Sequence, residues 1–256
     1  MSSSGNRPFY GEYAWAYTLL IDAPLARRCD FICDQLIKAD ILPGMHILDA
    51  GCGPGHYTVE LARRGYAVTG LDASPQFIKE AQDRPEARSL PVSFVTGDIL
   101  ALPPTLQVDA ILCRGVLNDL ITEDTCQQAL FAFANALRPG GLLIFDVRNW
   151  PTTVARKTRE PVTEKTVQTE RGLLTFSSTT QLDTSSHRLL ISERHTLTTP
   201  DGERTVYHQF VMRCWTEGEV DERLSLAGIV PISTFGDYDA RVPLGMTDRI
   251  VCIARR

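Results

Sequence analysis

The chain has 256 residues, a formal net charge of −5 and 43% apolar residues, an ordinary globular composition that allows one sizeable domain with an insertion. No Lys/Arg-rich run appears and no apolar stretch approaches bilayer-spanning length, so neither a nucleic-acid nor a membrane partner is expected. The opening Met-Ser-Ser-Ser-Gly-Asn-Arg lacks the apolar core of a signal peptide, which makes a cytoplasmic location the expectation.

In chain order, the aromatic-rich stretch Phe9 to Tyr17 precedes an amphipathic helix from Pro24 to Ala39, with Leu25, Cys29, Ile32, Cys33, Leu36 and Ile37 at helical spacing. A strand begins at Ile47 and runs into Asp49-Ala-Gly-Cys-Gly-Pro-Gly55, after which a helix covers Tyr57 to Arg64. Glycines at 51, 53 and 55 permit a positive-φ turn and a close approach of backbone to a small ligand, at the amino end of a helix. Ala67 to Asp72 reads as a second strand ending in a carboxylate that can bind a ribose diol. Ser74-Pro75 then caps a helix running to about Asp83. A third strand, Val92 to Val95, leads into Gly97-Asp98-Ile99, where an acid sits beside an apolar residue able to cover an aromatic ring. The fourth strand, Val108 to Cys113, ends before Arg114-Gly115. Thr122 opens a helix whose Ala129, Leu130, Phe133 and Leu137 face the core, stopped by Pro139-Gly140-Gly141. The fifth strand is Leu142 to Asp146. This alternation argues an α/β fold with a doubly wound, mostly parallel sheet, its ligand site outside the carboxyl ends of the strands.

From Pro151 to Cys214 the rhythm changes. Four runs, Thr163 to Glu170, Leu173 to Leu182, Arg188 to Thr198 and Arg204 to Trp215, are separated by turn signals and read as an inserted antiparallel sheet, a lid or a subunit contact through which a homodimer could form. Thr216 with Glu219 makes a capping box for a helix through Leu226. The seven cysteines lie mostly in apolar surroundings without Cys-x-x-Cys or His at ligand spacing, so reduced core residues and no metal site are expected.

Asp49-Ala-Gly-Cys-Gly-Pro-Gly55, Asp72, Gly97-Asp98 and Arg138-Pro-Gly-Gly141 resemble the successive motifs of class I S-adenosylmethionine-dependent methyltransferases. Within that superfamily, Trp15, Arg27-Arg28, Asp146-Val-Arg148-Asn149-Trp150 and Phe235-Gly-Asp-Tyr238 resemble the glycine N-methyltransferase group and related small-molecule enzymes. The resemblance implies a seven-stranded Rossmann-like sheet closed by a reversed hairpin around Pro231 to Phe235 and Arg249 to Ala254. It implies residues 1–40 as a cover, 41–150 with 216–256 as the cofactor-binding core, and 151–215 as the insertion. On this reading Gly51, Gly53 and Gly55 approach the cofactor, Asp72 takes the ribose hydroxyls, and Asp98 with Ile99 meets the adenine. Asp49 holds the loop or the ammonium group. Cys52, Ala73 and Arg114 fall on the same edge, while Tyr10, Trp15 and Arg27 or Arg28 serve the methionine end.

Arg148, directly after a core strand, suits a substrate carboxylate bidentately; its alternative is a structural ion pair with Asp146 or with a residue of the insertion. Asn118 and Asp119 could orient an amine, and Tyr17, His195, Tyr207 and His208 lie in segments that would roof the site. No general base is assigned. The stretch Arg114 to Leu120 departs from the family in being shorter and more charged, which speaks against glycine itself as acceptor. The expected activity is methyl transfer to nitrogen or oxygen of a small molecule. A non-catalytic S-adenosylmethionine-binding regulator is one alternative. A nicotinamide-dependent oxidoreductase is another, disfavoured because neither G-x-G-x-x-G nor Tyr-x-x-x-Lys is present.

Overall fold

The computed structural model of the protein describes residues 12–16, 19 and 24–256. Helix α1 (Leu25–Lys38) buries the expected stripe of Cys29, Ile32, Cys33 and Leu36. There follow β1 (His46–Ala50), α2 (His56–Arg63), β2 (Ala67–Asp72), α3 (Pro75–Gln82), β3 (Val92–Thr96), β4 (Val108–Arg114), α4 (Glu123–Ala136) and β5 (Leu137–Arg148). After α5 (Trp150–Arg159) come β6 (Val162–Thr169), β7 (Gly172–Asp183), β8 (Arg188–Thr199) and β9 (Gly202–Arg213), and the chain ends with α6 (Glu217–Leu226), β10 (Val230–Phe235) and β11 (Arg249–Arg255).

The main sheet has seven strands in the order β10, β11, β5, β4, β1, β2, β3. β1 to β5 pair in parallel, and β11 runs antiparallel to both β5 and β10. This is the Rossmann-like, doubly wound sheet with its reversed closing hairpin. One face is packed by α4 and α6 through Leu130, Phe133 and Leu224, the other by α1 and α2 through Ile32, Leu36 and Leu61. All seven cysteines are free and buried, as small core residues.

Local signals set the helix starts. The Ser74 hydroxyl accepts from Phe77 N at 3.2 Å with Pro75 in the first turn, and Thr216 and Glu219 close a reciprocal capping box. One boundary differs from expectation. Helix α4 stops at Ala136, and the chain enters β5 at Leu137, so Arg138-Pro-Gly-Gly141 lies within the strand rather than between helix and strand. Leu137 is fully buried and pairs with Val108, and residues 138–141 of β5 are passed over by a register shift, since the next pair is Ala110 with Leu142. Burial of Leu137 in the sheet outweighs the helical spacing that had assigned it to α4.

The inserted sheet is antiparallel in the order β6, β7, β8, β9, close to the four expected runs. Ten residues before it, however, form helix α5, with Pro151 in its first turn. The sheet is tied to the core at one end by Arg213 N to Asn118 O at 2.7 Å, Trp215 N to Arg148 O at 2.7 Å and the Arg188 guanidinium to Ile121 O at 2.9 Å. At its other end the turn residue Arg171 stands 4.5 Å from the Trp15 ring centroid, and Leu174 packs with Tyr13 and Ala16. The insertion thus reaches from the ends of β4 and β5 to the amino-terminal segment. Among the described residues no helix is long and apolar enough to cross a membrane.

Candidate active site

The carboxyl edge of β1, β2, β3 and β4 gathers the expected residues. Asp72, at the end of β2, accepts from Gly53 N and from Ser74 N, each at 2.8 Å. One carboxylate thereby clamps the glycine loop to the start of α3. Gly51 N and Cys52 N donate to Leu71 O, which holds the loop from beneath. Burial raises the Asp72 carboxyl above the ordinary carboxylate range, the two amides opposing it.

All three loop glycines have positive φ, +79°, +54° and +78°, yet their surroundings differ. A Cβ on Gly53 would meet nothing within 4 Å, whereas one on Gly51 would lie 2.1 Å from Val116 and one on Gly55 2.8 Å from Phe94. Gly53 alone faces open space, where a ligand can pass close to the backbone. Gly51 and Gly55 make room for the protein's own side chains, which narrows the expectation that all three admit ligand.

Asp49 is buried at the end of β1 and accepts from the Thr58 hydroxyl at 2.6 Å. Burial pushes its carboxyl up to about 6, with Thr58 and Arg114 pulling the other way. Cys52 is buried with its thiol toward Gly53 O, and burial raises that thiol far above its usual range. Ala73 is exposed beside Asp72, and Asp98, also exposed, accepts from Leu100 N at 2.9 Å above the buried Ile99.

Arg114, at the end of β4, stacks its guanidinium 3.6 Å from the Tyr57 ring centroid and 5.1 Å from that of Tyr238. Tyr57 had no signal in the sequence beyond opening a helix; its role comes from the pairing of β1 with β4, which brings the glycine loop beside Arg114. Arg27 pairs with Asp239, and Arg28 with Asp237 at 3.3 Å. Both arginines therefore tie α1 to the loop between β10 and β11. Trp15 packs with the insertion under Arg171. Tyr10 and Tyr17 lie outside the described residues.

The acceptor-side candidates separate into two groups. Arg148 donates to Asp248 at 2.7 Å, while Asp146 pairs with Arg249 and accepts from Gly115 N at 2.6 Å. The structural ion pair considered for Arg148 is real, but its partner is Asp248. Asn118 is buried and braces the backbone: its side chain donates to Gly115 O at 3.2 Å and accepts from Arg148 N at 2.8 Å, and its carbonyl takes Arg213 N. His195 is completely buried on the covered face of the insertion, 3.4 Å from Glu193 and against the rings of Tyr13 and Phe176. His208 is half-buried on the same sheet with its ring stacked on Phe210, and Tyr207 is exposed on the opposite side. Among the described residues no cluster of metal-binding side chains occurs.

Residues 47–141 match the methyltransferase domain family. A Geobacillus sp. protein provisionally named as a methyltransferase is 32% identical over 143 residues, 55% of this chain and 58% of that one. The chain spans about half the length of the curated relatives it matches. The crystal structure of an S-adenosylmethionine-dependent methyltransferase from Clostridium acetobutylicum superposes with a TM-score of 0.80 at 19% identity, covering 96% of this chain and 98% of that one. An amino pentose methyltransferase from Micromonospora echinaspora, involved in calicheamicin biosynthesis, superposes with a TM-score of 0.75 at 22% identity, covering 96% of both chains. Residues 47–141 thus match the methyltransferase domain family, and the chain as a whole shares the Rossmann-like fold of these solved structures.

Proposed function

We propose that the protein transfers a methyl group from S-adenosylmethionine to nitrogen or oxygen of a small molecule. The observation that carries this reading is the cradle at Gly53: an open, positive-φ glycine whose amide is held by a strand-end carboxylate. A carboxylate has about four acceptor sites, and Asp72 has engaged one on each oxygen, so acceptor capacity remains for a ribose diol. Asp98, exposed next along the edge, suits the adenine amine, and Ile99 suits the ring. Arg114, or Arg28 beside Tyr238, supplies a cation for the methionine carboxylate. When bound, the cofactor supplies a methyl group already activated on a sulfonium. The protein's tasks are to hold it, align the acceptor and exclude water.

The likeness of Asp146 to Trp150 and of Phe235 to Tyr238 to the glycine N-methyltransferase group supports a carboxylate-bearing amine as acceptor, with Arg148 as its anchor. The name of the Micromonospora protein supports an amino sugar among the acceptors to be tested. The insertion, with His195 and His208 on its covered side, would roof the acceptor and offer a surface for a homodimer. A cytoplasmic location fits this assignment. Calorimetry with S-adenosylhomocysteine tests the cofactor, and a screen for its release across small amino acids, amino sugars, phenols and carboxylic acids tests the acceptor. Tight dinucleotide binding without any S-adenosylhomocysteine signal would overturn the reading, and cofactor binding without turnover on any acceptor would favour a regulator.

A further inference from the structure

Where β5 leaves the sheet, two arginines meet one carboxylate, with the lysine that follows one of them on α5 close by. Arg148 and Arg156 both donate to the same oxygen of Asp248, at 2.7 and 2.5 Å. Lys157, next on α5, has its stem buried and makes no hydrogen bond or ion pair among the described residues. Burial, together with Arg156 and Arg148, lowers the Lys157 amine below its usual range, while Asp248 and Glu160 oppose this. The Arg156 Nε is buried without a partner among the described residues. Of the other acids nearby, Asp146 is taken by Arg249 and the Gly115 amide, and Glu160 is exposed at the end of the helix.

The cluster therefore holds two more positive charges than its internal carboxylate balances. It also stands at the carboxyl edge: the Arg148 amide is bonded to Asn118, whose loop begins at Gly115, where a Cβ would meet nothing within 4 Å. Two guanidiniums on one carboxylate, with an amine within electrostatic reach of both, are the donor set for a group with several oxygens and more than one negative charge.

We propose that Arg148, Arg156 and Lys157, gathered around Asp248, form a subsite for a doubly charged phosphate group on the methyl acceptor. A monocarboxylate would leave one of the two excess charges unbalanced, whereas a phosphate ester or a diphosphate matches both. Calling the ligand an acceptor rests on the methyl-transfer reading; the anion site itself does not.

The test titrates the full chain with inorganic phosphate, pyrophosphate and acetate at constant ionic strength, reading heat of binding and the unfolding midpoint. Phosphate or pyrophosphate should bind saturably and acetate at least about tenfold more weakly, the tighter of the two phosphates telling a monoester subsite from a diphosphate one. Arg156→Gln and Lys157→Gln should each weaken that binding at least about tenfold, and Arg156→Lys should recover part of it. S-adenosylhomocysteine binding, measured on the same samples, should be unchanged and reports that the variants are folded. Acetate binding as tightly as phosphate, or phosphate effects equal in wild type and variants, would overturn the proposal. Saturable phosphate binding that depends on Arg156 in a protein that ignores S-adenosylhomocysteine would uphold the subsite and remove the methyl-transfer reading.

Discussion

Replacing Asp72 by Asn tests the cradle with the least disturbance to the fold. The side chain keeps its shape and one acceptor oxygen, but loses the charge that now receives Gly53 N and Ser74 N at 2.8 Å each. Hydrogen bonds to a charged group contribute about 1.5–3 kcal/mol each, and a diol would make two. Asn can accept one of them, so the expected loss is about 2–3 kcal/mol, roughly 30- to 150-fold in S-adenosylhomocysteine affinity. Asp72→Ala also frees the loop and should lose more, with a fall in stability from the two released amides. Because burial raises the Asp72 carboxyl, its charged form is lost early as pH falls. Wild-type affinity should therefore drop through the acid range, while Asp72→Asn should start low and stay flat. Calorimetry at pH 8 and pH 5 on both proteins decides the matter. Equal affinity within twofold at pH 8, or parallel pH profiles, would refute the assignment of Asp72 to the cofactor.

Asp49→Asn should stabilise the free protein at neutral pH. Its folded carboxyl lies at about 6 against an ordinary 3.8, so the native state binds the proton more tightly and loses stability as pH rises between those values, on the order of 2–3 kcal/mol in all; denaturant unfolding at pH 4 and 7.5 should show that slope in wild type and not in the variant. Arg114→Lys should weaken cofactor binding nearly as much as Arg114→Gln, because the flat stack on Tyr57 belongs to the guanidinium; full rescue by lysine would dismiss the stacking argument. Arg148→Ala should raise the KM for acidic acceptors about 10- to 100-fold with S-adenosylhomocysteine affinity intact, and a loss of cofactor affinity instead would remove its acceptor role. Thr216→Ala breaks the capping box of α6 and should cost about 1 kcal/mol, a midpoint drop of roughly 2–4 °C, without altering cofactor binding.

Much of the fold was legible because its signals are local. The strand-end acids, the Ser74-Pro75 start, the Thr216 box and the turn signals between the four inserted runs each act over a few residues, and each lies where the spacing placed it. Helix α5 was missed because its sequence, Trp150-Pro-Thr-Thr-Val, is rich in residues that also serve strands. The partners of the charged residues were not legible. Arg27 with Asp239, Arg148 with Asp248 and Asp146 with Arg249 join positions about a hundred or more residues apart, and only the antiparallel docking of β11 on β5 brings the last two together. The stack of Arg114 on Tyr57 was hidden for the same reason.

The rim of the sheet divides into two halves with different origins. The half formed by β1, β2 and β3 is clamped by its own backbone and strand-end acids, and all of it falls within residues 47–141, the span that matches the methyltransferase domain. The other half is built from Asp146 and Arg148, α5, the insertion and the loop carrying Tyr238 and Asp248, all beyond that span. On the proposed methyl-transfer reading the first half serves mainly the donor, which such enzymes share, and the second mainly the acceptor, in which they differ. The consequence is separable: substitutions at Asp72 or Gly53 should weaken binding of S-adenosylhomocysteine whatever the acceptor, while those at Arg148 or Arg156 should change which acceptor is used and leave that binding untouched. Coupled losses at both sites, measured on folded variants, would mean that the two halves are one site.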